Sequence, residues 1–300
     1  MLLLGARFSQ YTGGLRTAVI APEATVVQVD VQSEEFGRLR RPDLAVVADC
    51  REMLAALLEA AGEAVWPARE EWVKALKRSP AQQPDSTGPG ISPQELAHTL
   101  ATVAGDTVTF VADGGETSAW LDAVATTATP GRWITHGYLG LMGEGMPLAV
   151  GAQLAEPDAR VVCFIGDGAV GFNFAEFDTM VRHDLPIVVV VNNDSQWSMS
   201  AHGQDLIWGS DRRVAPQLRT TRYDIAASGF GAHGEHVTDL AELAPALERA
   251  LAAGRPACVN VETHAEAIPP LTRRLMGGAA HGLVSPEGLA RIPYTDALEV

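Results

Sequence analysis

Three apolar, strand-like runs of this 300-residue chain are each followed by residues whose chemistry suits an anion or a metal ion. Residues 113–115 read Asp-Gly-Gly, residues 166–168 read Gly-Asp-Gly, and residues 192–194 read Asn-Asn-Asp. Ligands of open α/β sheets bind beyond the carboxyl ends of the strands. We therefore expect these three runs to line one binding site.

The Gly-Asp-Gly run suits a divalent cation that holds a diphosphate. The glycines let backbone N–H groups approach an anion without a Cβ in the way, and Asp167 between them offers a hard oxygen ligand. Mg²⁺ is typically held by one or two carboxylates together with phosphate oxygens and water. Asn193 or Asp194, at the next strand end, can supply another oxygen. The two strand ends are thus expected to share one metal ion.

A third glycine-rich stretch spans residues 137–145 and reads Gly-Tyr-Leu-Gly-Leu-Met-Gly-Glu-Gly. Its glycines suit a loop that brings backbone close to a flat ligand, before a helix that starts near Pro147. The other interpretation is a plain glycine-rich connector.

The elements that must position these residues follow from short apolar runs rich in β-branched residues, at 107–111, 161–165, 187–191 and 257–261. Helix-length segments separate them, which is typical of a parallel sheet covered by helices on both faces. Asn173, three residues before Glu176, predicts a capped helix after the second strand.

The chain before residue 66 predicts an incomplete, partial Rossmann-like α/β domain, with strands near 1–7, 25–31 and 44–48 and a helix over 51–61. Prolines and glycines then punctuate the sequence. We expect three parts: a partial domain over 1–65, a linker over 66–93, and the binding domain over 94–300.

Composition excludes several classes of partner. The chain has 22 Lys+Arg against 37 Asp+Glu and a formal net charge of −15, which opposes binding to nucleic acid or to an anionic membrane surface. Its apolar runs are far shorter than the roughly 18 to 20 residues of a membrane span, and residues 1–4 do not resemble an export signal. The three cysteines are far apart and form no metal-type pair. The expectation is a cytoplasmic protein with reduced thiols.

The motifs resemble the diphosphate-binding half of thiamine-diphosphate enzymes of the acetolactate synthase, benzaldehyde lyase and 2-hydroxyacyl-CoA lyase kind. Residues 166–194 resemble the family's metal and diphosphate motif, and residues 139–147 resemble its aminopyrimidine loop. Residues 113–117 look like the Glu-Gly-Ala-Asn-Thr loop of the acyl-CoA lyases. Short runs before residue 39 are similar to the later part of the central domain. The resemblance implies thiamine diphosphate and Mg²⁺ as cofactors.

The resemblance also implies which residues form the site. In the family, the carbonyl at the Gly140 position accepts a hydrogen bond from the aminopyrimidine, and the Met142 side chain wedges the cofactor into its bent conformation. Counting from Asp167 puts Asp194 where the family has asparagine, with Asn193 one residue earlier, so both are kept. The implied cofactor-binding residues are Asp113, Gly114, Gly115, Glu116, Gly140, Leu141, Met142, Gly166, Gly168, Ala169 and Asn193. The implied metal ligands are Asp167, Asn193, Asp194 and the backbone carbonyl of Gln196.

His136, His202 and Gln204 are the polar candidates for a place near the thiazolium. Each has a structural alternative, a neutral satisfied imidazole for the histidines and a surface position for Gln204. Met199, just beyond the metal motif, is either a substrate-pocket side chain or a core methionine.

The function implied is that of a carbon–carbon lyase or carboligase acting on a small 2-oxo or 2-hydroxy acyl substrate, with the cofactor as electron sink. The sequence starts inside the family's central domain. We therefore expect the pyrimidine-binding domain to come from a second chain in a homo- or hetero-oligomer.

Two other functions are compatible with these residues. One is a truncated protein that binds the cofactor without catalysis. The other is a dinucleotide-binding module, because residues 166–171 match Gly-x-Gly-x-x-Gly and Asp194 is placed for a ribose. Against the module, an aspartate between the glycines repels a bare pyrophosphate, and the loop at 137–145 is left unexplained.

Overall fold

The computed structural model describes residues 1–8, 20–38, 40–65, 67–77, 89–137 and 139–273. The chain divides into two compact units, Met1–Ser79 and Pro80–Val300. Both contain parallel strands combined with helices, which confirms the predicted α/β class.

The first unit holds a three-stranded parallel sheet followed by a helix. Its elements are β1 (Leu2–Leu4), β2 (Val27–Asp30), β3 (Leu44–Val47), α1 (Cys50–Ala61) and α2 (Glu70–Lys77). Helix α1 begins because the Asp49 carboxylate accepts hydrogen bonds from the N–H groups of Arg51 and Glu52, and it ends at Gly62, whose φ is 52°. Helix α2 lies within the segment expected to be a linker.

The second unit is built on a six-stranded sheet in which every neighbouring pair is parallel. Its strands are β4 (Thr109–Asp113), β5 (Trp133–Thr135), β6 (Val161–Gly166), β7 (Val188–Asn193), β8 (His233–Val237) and β9 (Ala257–Glu262), in the order β5-β4-β6-β7-β9-β8. The four predicted strands are present, each displaced by no more than two residues. The two unpredicted strands lie at the sheet edges.

Eight helices of this unit lie among the described residues. They are α3 (Pro93–Ala104), α4 (Gly115–Asp122), α5 (Gly145–Ala155), α6 (Asp167–Val170), α7 (Glu176–Arg182), α8 (Ser198–Trp208), α9 (Tyr223–Gly229) and α10 (Leu240–Ala252). Across the described ranges, no helix combines the length and apolar character needed to cross a membrane.

The predicted cap of the helix after β6 is wrong. Helix α7 begins at Glu176, and its N-cap residue Ala175 makes no side-chain hydrogen bond. Asn173 instead donates from Nδ2 to the carbonyl oxygen of Gly143 at 2.7 Å. The asparagine is thus used to hold a distant loop rather than a helix end.

Strand residues of alternating parity feed two apolar cores, one on each face of the sheet. Val162 and Phe164 of β6 pack in the core that includes Leu96 of α3. Their neighbours Cys163 and Ile165 pack in the opposite core. Each fully buried side chain of this size contributes about 1.5 to 3 kcal/mol, so the central strands are strongly held.

The strand order reverses at β4. The chain passes from β4 to β5 on one side and then to β6 on the other side of β4. In open α/β sheets such a reversal leaves a crevice beyond the carboxyl ends of the two strands, where ligands bind. A Cβ added at Gly114 would lie 3.5 Å from the backbone nitrogen of Gly166, so the two glycine motifs meet at this crevice.

Candidate functional site

A cleft of about 420 Å³ lies at the carboxyl ends of β4, β6 and β7. It is lined by Gly114, Gly115, Glu116, Thr117, Met142, Gly166, Asp167, Gly168, Ala169, Asp194, Gln196, Trp197, Ser198, Met199 and Ser200. The structure therefore brings the three strand-end motifs together, and adds one residue of the glycine-rich loop.

The glycines of the cleft stand where a side chain would collide. A Cβ at Gly168 would lie 2.8 Å from Cδ1 of Trp197, and a Cβ at Gly115 would lie 2.3 Å from Sδ of Met199. Gly114 has a φ of 91°, in the left-handed region that favours glycine. Because these positions lack side chains, the backbone itself forms the wall, as in loops that hold an anion with N–H groups.

Asp167 is a buried carboxylate with one oxygen unused. It is 3% exposed, and its Oδ1 accepts a hydrogen bond of 2.7 Å from the N–H of Gly168. Its Oδ2 is buried and has no hydrogen-bond partner among the described residues. Burial, together with the negative charge of Asp194, raises the pKa of Asp167 to about 8, although nearby backbone N–H groups act in the opposite direction.

Asp194 is the second buried carboxylate of the cleft. Burial raises its pKa to about 6, and the charge of Glu116 adds to this shift. The hydroxyl of Ser198 donates a hydrogen bond to Oδ2 of Asp194, which opposes the shift. Two buried carboxylates that favour their protonated forms are a costly arrangement unless a cation lies between them.

These donors fit a divalent cation of the Mg²⁺ type. No group of three metal-binding side chains gathers anywhere in the described ranges, so the site offers two carboxylates. Mg²⁺ commonly takes one or two carboxylates and fills its remaining positions with phosphate oxygens, carbonyls or water. The unpartnered Oδ2 of Asp167 supplies the observation that a ligand is expected there.

The turn that carries Asp194 is pinned on its outer side. Ser195 has a φ of 59°, and its Oγ lies 2.7 Å from Oγ1 of Thr220 in a hydrogen bond. The N–H of Trp197 donates to the carbonyl of Pro216 at 2.8 Å. A non-glycine residue in the left-handed region persists where its surroundings hold it, so this turn is fixed in shape.

Gln196, whose backbone carbonyl is the expected third metal ligand, is itself braced. Its side chain is 3% exposed, and Nε2 donates to the carbonyl of Ala265 at 3.1 Å. The residue is therefore held by the segment that follows β9.

Asn193 does not line the cleft. It is 1% exposed, and its Nδ2 donates to Oδ1 of Asn260 and to the carbonyl of Thr221, both at 3.0 Å. Of the two candidates left open by the sequence, the structure therefore places Asp194 in the cleft beside Asp167 and places Asn193 in a structural network.

Replacing Asn193 by alanine is expected to lower the free energy of unfolding by about 1 to 3 kcal/mol, because the buried Asn260 then loses a partner. Urea denaturation measures this loss. Magnesium affinity of the folded variant should match that of the unaltered protein, whereas Asp194→Ala is expected to change magnesium affinity. Unchanged stability with altered magnesium affinity would instead make Asn193 a metal ligand.

Asp113 anchors the glycine-rich loop rather than lining the cleft. It is completely buried, and its Oδ2 accepts hydrogen bonds from the N–H groups of Gly143 and Gly145 at 2.9 and 2.7 Å. Burial raises the pKa of Asp113, and these hydrogen bonds oppose that shift. The bond from Asn173 to Gly143 holds the same segment from the other side.

The middle of this loop is open. Gly140 has a φ of 65° and donates from its N–H to the carbonyl of Gly137 at 2.9 Å, which closes a tight turn. Met142 lines the cleft, and Gly140 and Leu141 do not. Leu141 and Met142 are 50% and 37% exposed, so apolar side chains remain available beside the cleft.

The three polar candidates fall in different places. Gln204 brackets Val214, accepting from its N–H at 2.6 Å and donating to its carbonyl at 3.3 Å. His136 is half-buried, with Nδ1 3.3 Å from the carbonyl of Gly137. Neither lines the cleft. His202 is buried and contacts the cleft residue Glu116 directly.

Sequence reasoning missed four residues of the cleft wall, namely Thr117, Trp197, Ser198 and Ser200. Thr117 accepts a hydrogen bond from Asn192 at 3.2 Å, and Asn192 in turn accepts one from Thr263 at 2.8 Å. The signal for Ser198 was available, because it follows Asp194 by four positions at the start of a helix.

Two family models match the chain. The model of the thiamine pyrophosphate enzyme C-terminal TPP binding domain matches residues 113–261, and the model of the thiamine pyrophosphate enzyme central domain matches residues 1–57. Thiamine pyrophosphate is another name for thiamine diphosphate. The first range contains every residue that lines the cleft.

The chain is also similar to acetolactate synthases and to a lyase. It is 38% identical to the acetolactate synthase large subunit of Mycobacterium tuberculosis over 174 residues, which cover 58% of this chain and 31% of that protein. It is 29% identical to the acetolactate synthase isozyme 1 large subunit of Escherichia coli over 270 residues, 89% of this chain and 47% of that protein. It is 32% identical to 2-hydroxyacyl-CoA lyase 2 of Homo sapiens over 202 residues, 65% of this chain and 31% of that protein.

A solved structure shares the fold. The thiamine diphosphate-dependent 4-hydroxybenzoylformate decarboxylase of Rhodococcus jostii RHA1 superposes with a TM-score of 0.71 at 23% sequence identity, over 88% of this chain and 48% of that chain. The chain thus spans between about a third and a half of the length of these proteins. Both matched domains come from one group of enzymes, and the cleft falls within the second domain, so the chain belongs to the thiamine pyrophosphate enzyme family.

Proposed function

We propose that this chain binds thiamine diphosphate through Mg²⁺ and forms the diphosphate-binding half of the active site of a carbon–carbon lyase or carboligase. The observation that carries the proposal is the unpartnered Oδ2 of Asp167, which lies beside Asp194 in a glycine-walled cleft at the strand reversal. A diphosphate with its cation supplies what this cleft lacks.

The proposed cation ligands are Asp167, Asp194 and the carbonyl of Gln196. The glycine-rich backbone of residues 114–116 and 166–169 would meet the diphosphate oxygens, because both stretches line the cleft without large side chains. When bound, the thiazolium of the cofactor supplies an electron sink for breaking or forming a carbon–carbon bond. The chain's own residues orient the ligand and exclude water.

Met199 is proposed to face the substrate. It lines the cleft, and its Sδ lies where a Cβ on Gly115 would stand. A flexible thioether suits a pocket wall that adapts to an acyl group. The relatives are named as acetolactate synthases and a 2-hydroxyacyl-CoA lyase, which supports a small 2-oxo or 2-hydroxy acyl substrate.

A second chain is proposed to complete the site with a pyrimidine-binding domain. Leu139 and Leu141 are 71% and 50% exposed in the loop that also supplies Met142 to the cleft. Neighbouring exposed apolar side chains of this kind favour contact with a protein partner. We therefore propose a homo- or hetero-oligomer in which this loop meets the partner domain.

Calorimetric titration tests the cofactor and its metal. Thiamine diphosphate should bind with excess magnesium and bind at least ten times more weakly with a chelator. Equal affinity under both conditions would refute the metal-dependent site. Tight magnesium-independent binding of NAD would favour the dinucleotide-binding alternative.

Co-expression with a neighbouring reading frame that encodes a pyrimidine-binding domain tests the activity. Exchange of the cofactor's C2 proton, followed by NMR, and turnover of a 2-oxo or 2-hydroxy acid should appear in the complex. Cofactor binding without exchange in that complex would make this chain a binding protein without catalysis.

A further inference from the structure

Glu116 is a third carboxylate of the cleft, and the proposed metal site does not use it. It is 4% exposed and lines the cleft, and its charge contributes to the raised pKa of Asp194. Its Oε2 lies 2.8 Å from Nδ1 of His202. Its Oε1 is buried with no hydrogen-bond partner in the described part of the chain. A buried carboxylate at this position adds negative charge where an anionic diphosphate is expected.

The hydrogen bonds of His202 fix how many protons the pair holds. Nε2 of His202 lies 2.8 Å from the carbonyl oxygen of Ala265. A carbonyl can only accept, so Nε2 carries a hydrogen. The 2.8 Å contact on the other side of the ring also needs a hydrogen, because two lone pairs at that distance would repel. That hydrogen is carried either by Nδ1 or by Oε2.

Both placements give the same total charge. An imidazolium beside a carboxylate sums to zero, and a neutral imidazole beside a carboxylic acid also sums to zero. Removing the imidazole removes this balance and leaves a buried carboxylate near Asp194. Two like charges about 4 Å apart repel by about 4 kcal/mol where the effective dielectric constant is about 20, which is enough to alter anion affinity strongly.

We propose that His202 is the charge-balancing partner of Glu116, and that the cleft accepts a diphosphate only while this pair is neutral. The proposal rests on the proposed function, since it concerns the same cleft. It makes His202 a positioning residue, which acts on the ligand through Glu116, and it makes Glu116 a residue of the cofactor cleft. The unpartnered Oε1 is then an acceptor for a hydrogen of water or of a substrate hydroxyl.

A two-residue mutant cycle tests the proposal. Four proteins are titrated with thiamine diphosphate and excess magnesium: the unaltered chain, His202→Ala, Glu116→Gln and the double variant. His202→Ala should weaken binding roughly tenfold or more, because the carboxylate loses its counter-charge. Glu116→Gln should bind at least as well as the unaltered chain. The double variant should recover most of the affinity, which loss of packing at His202 would not allow.

The control is His183→Ala, an exposed histidine at the end of α7, which should bind like the unaltered chain. The proposal is overturned if His202→Ala binds normally, or if the double variant is as weak as His202→Ala. The same four proteins are also unfolded in urea without ligand. The unfolding midpoint should fall in His202→Ala and return in the double variant.

The urea series separates this proposal from the proposed function. Failure of the unaltered chain to bind thiamine diphosphate would refute the cofactor assignment. The charge balance would then be decided by the unfolding midpoints alone, and equal midpoints in His202→Ala and the double variant would refute it.

Discussion

Asp167→Ala is expected to weaken the binding of thiamine diphosphate by about a hundredfold or more at saturating magnesium, and to abolish the effect of magnesium on binding. Even residues that only support metal ligands cost about ten- to a hundredfold when they are removed, so loss of a ligand should cost at least as much. Asp167 is the carboxylate with a buried, unpartnered oxygen in the cleft. Calorimetry with magnesium and with chelator measures both effects.

A matched control is Asp178→Ala. Asp178 is an exposed aspartate of α7 that forms an ion pair with Arg182 at 2.6 Å, and it does not line the cleft. Its loss should leave both the affinity and the magnesium dependence unchanged. Magnesium-dependent binding of normal strength by Asp167→Ala would place the metal elsewhere and remove the main support for the proposed function.

The identity of the second ligand is tested by two changes at one position. Asp194→Asn keeps a side-chain oxygen of the same reach and should retain binding within about tenfold, because amide oxygens also coordinate hard cations. Asp194→Ala removes the oxygen and should behave like Asp167→Ala. If the two variants are equally weak, the negative charge of Asp194 matters more than its oxygen.

The central sheet was predictable because its strands are continuous apolar runs. Val161 to Ile165 and Val188 to Val191 are all buried, with alternate residues feeding the two cores. Strands buried on both faces lose the polar alternation that marks surface strands, and this pattern is easily recognised. The chemistry at their carboxyl ends followed from that prediction.

The edge strands were not predictable from the same signal. Strand β5 has three residues, and β8 reads His-Gly-Glu-His-Val, in which only Val237 is buried. Edge strands have one neighbour, so their sequence need not be apolar. Their pairing comes from the strand beside them and from the turns that lead into them.

Side-chain direction at the end of β7 was also beyond the sequence. Asn193 and Asp194 are adjacent and both offer oxygen ligands, and only the structure separates the buried network around Asn260 from the cleft. The pair of Glu116 and His202 is 86 positions apart. No local pattern brings such residues together, because their contact depends on the packing of α4 and α8 at the same end of the sheet.

The unliganded protein is expected to carry a pH-dependent cost at Asp167, and Asp167→Asn should remove it. The pKa of Asp167 is raised to about 8 from an ordinary value of 3.8, first by burial and then by Asp194. Between these values the folded chain binds a proton that the unfolded chain does not hold. Stability from this group is therefore fully present below about pH 3.8 and is lost as the pH rises through about 8.

Between pH 6 and pH 8, this group alone should lower the free energy of unfolding by about 2 kcal/mol, since one pKa unit corresponds to about 1.4 kcal/mol. Urea denaturation of the unaltered chain and of Asp167→Asn, both in chelator, measures the difference. The variant should be the more stable protein at pH 8, and its advantage should shrink at pH 6. Parallel pH profiles for the two proteins would show that Asp167 titrates normally, and the cleft would then lack the electrostatic tension that a bound cation relieves.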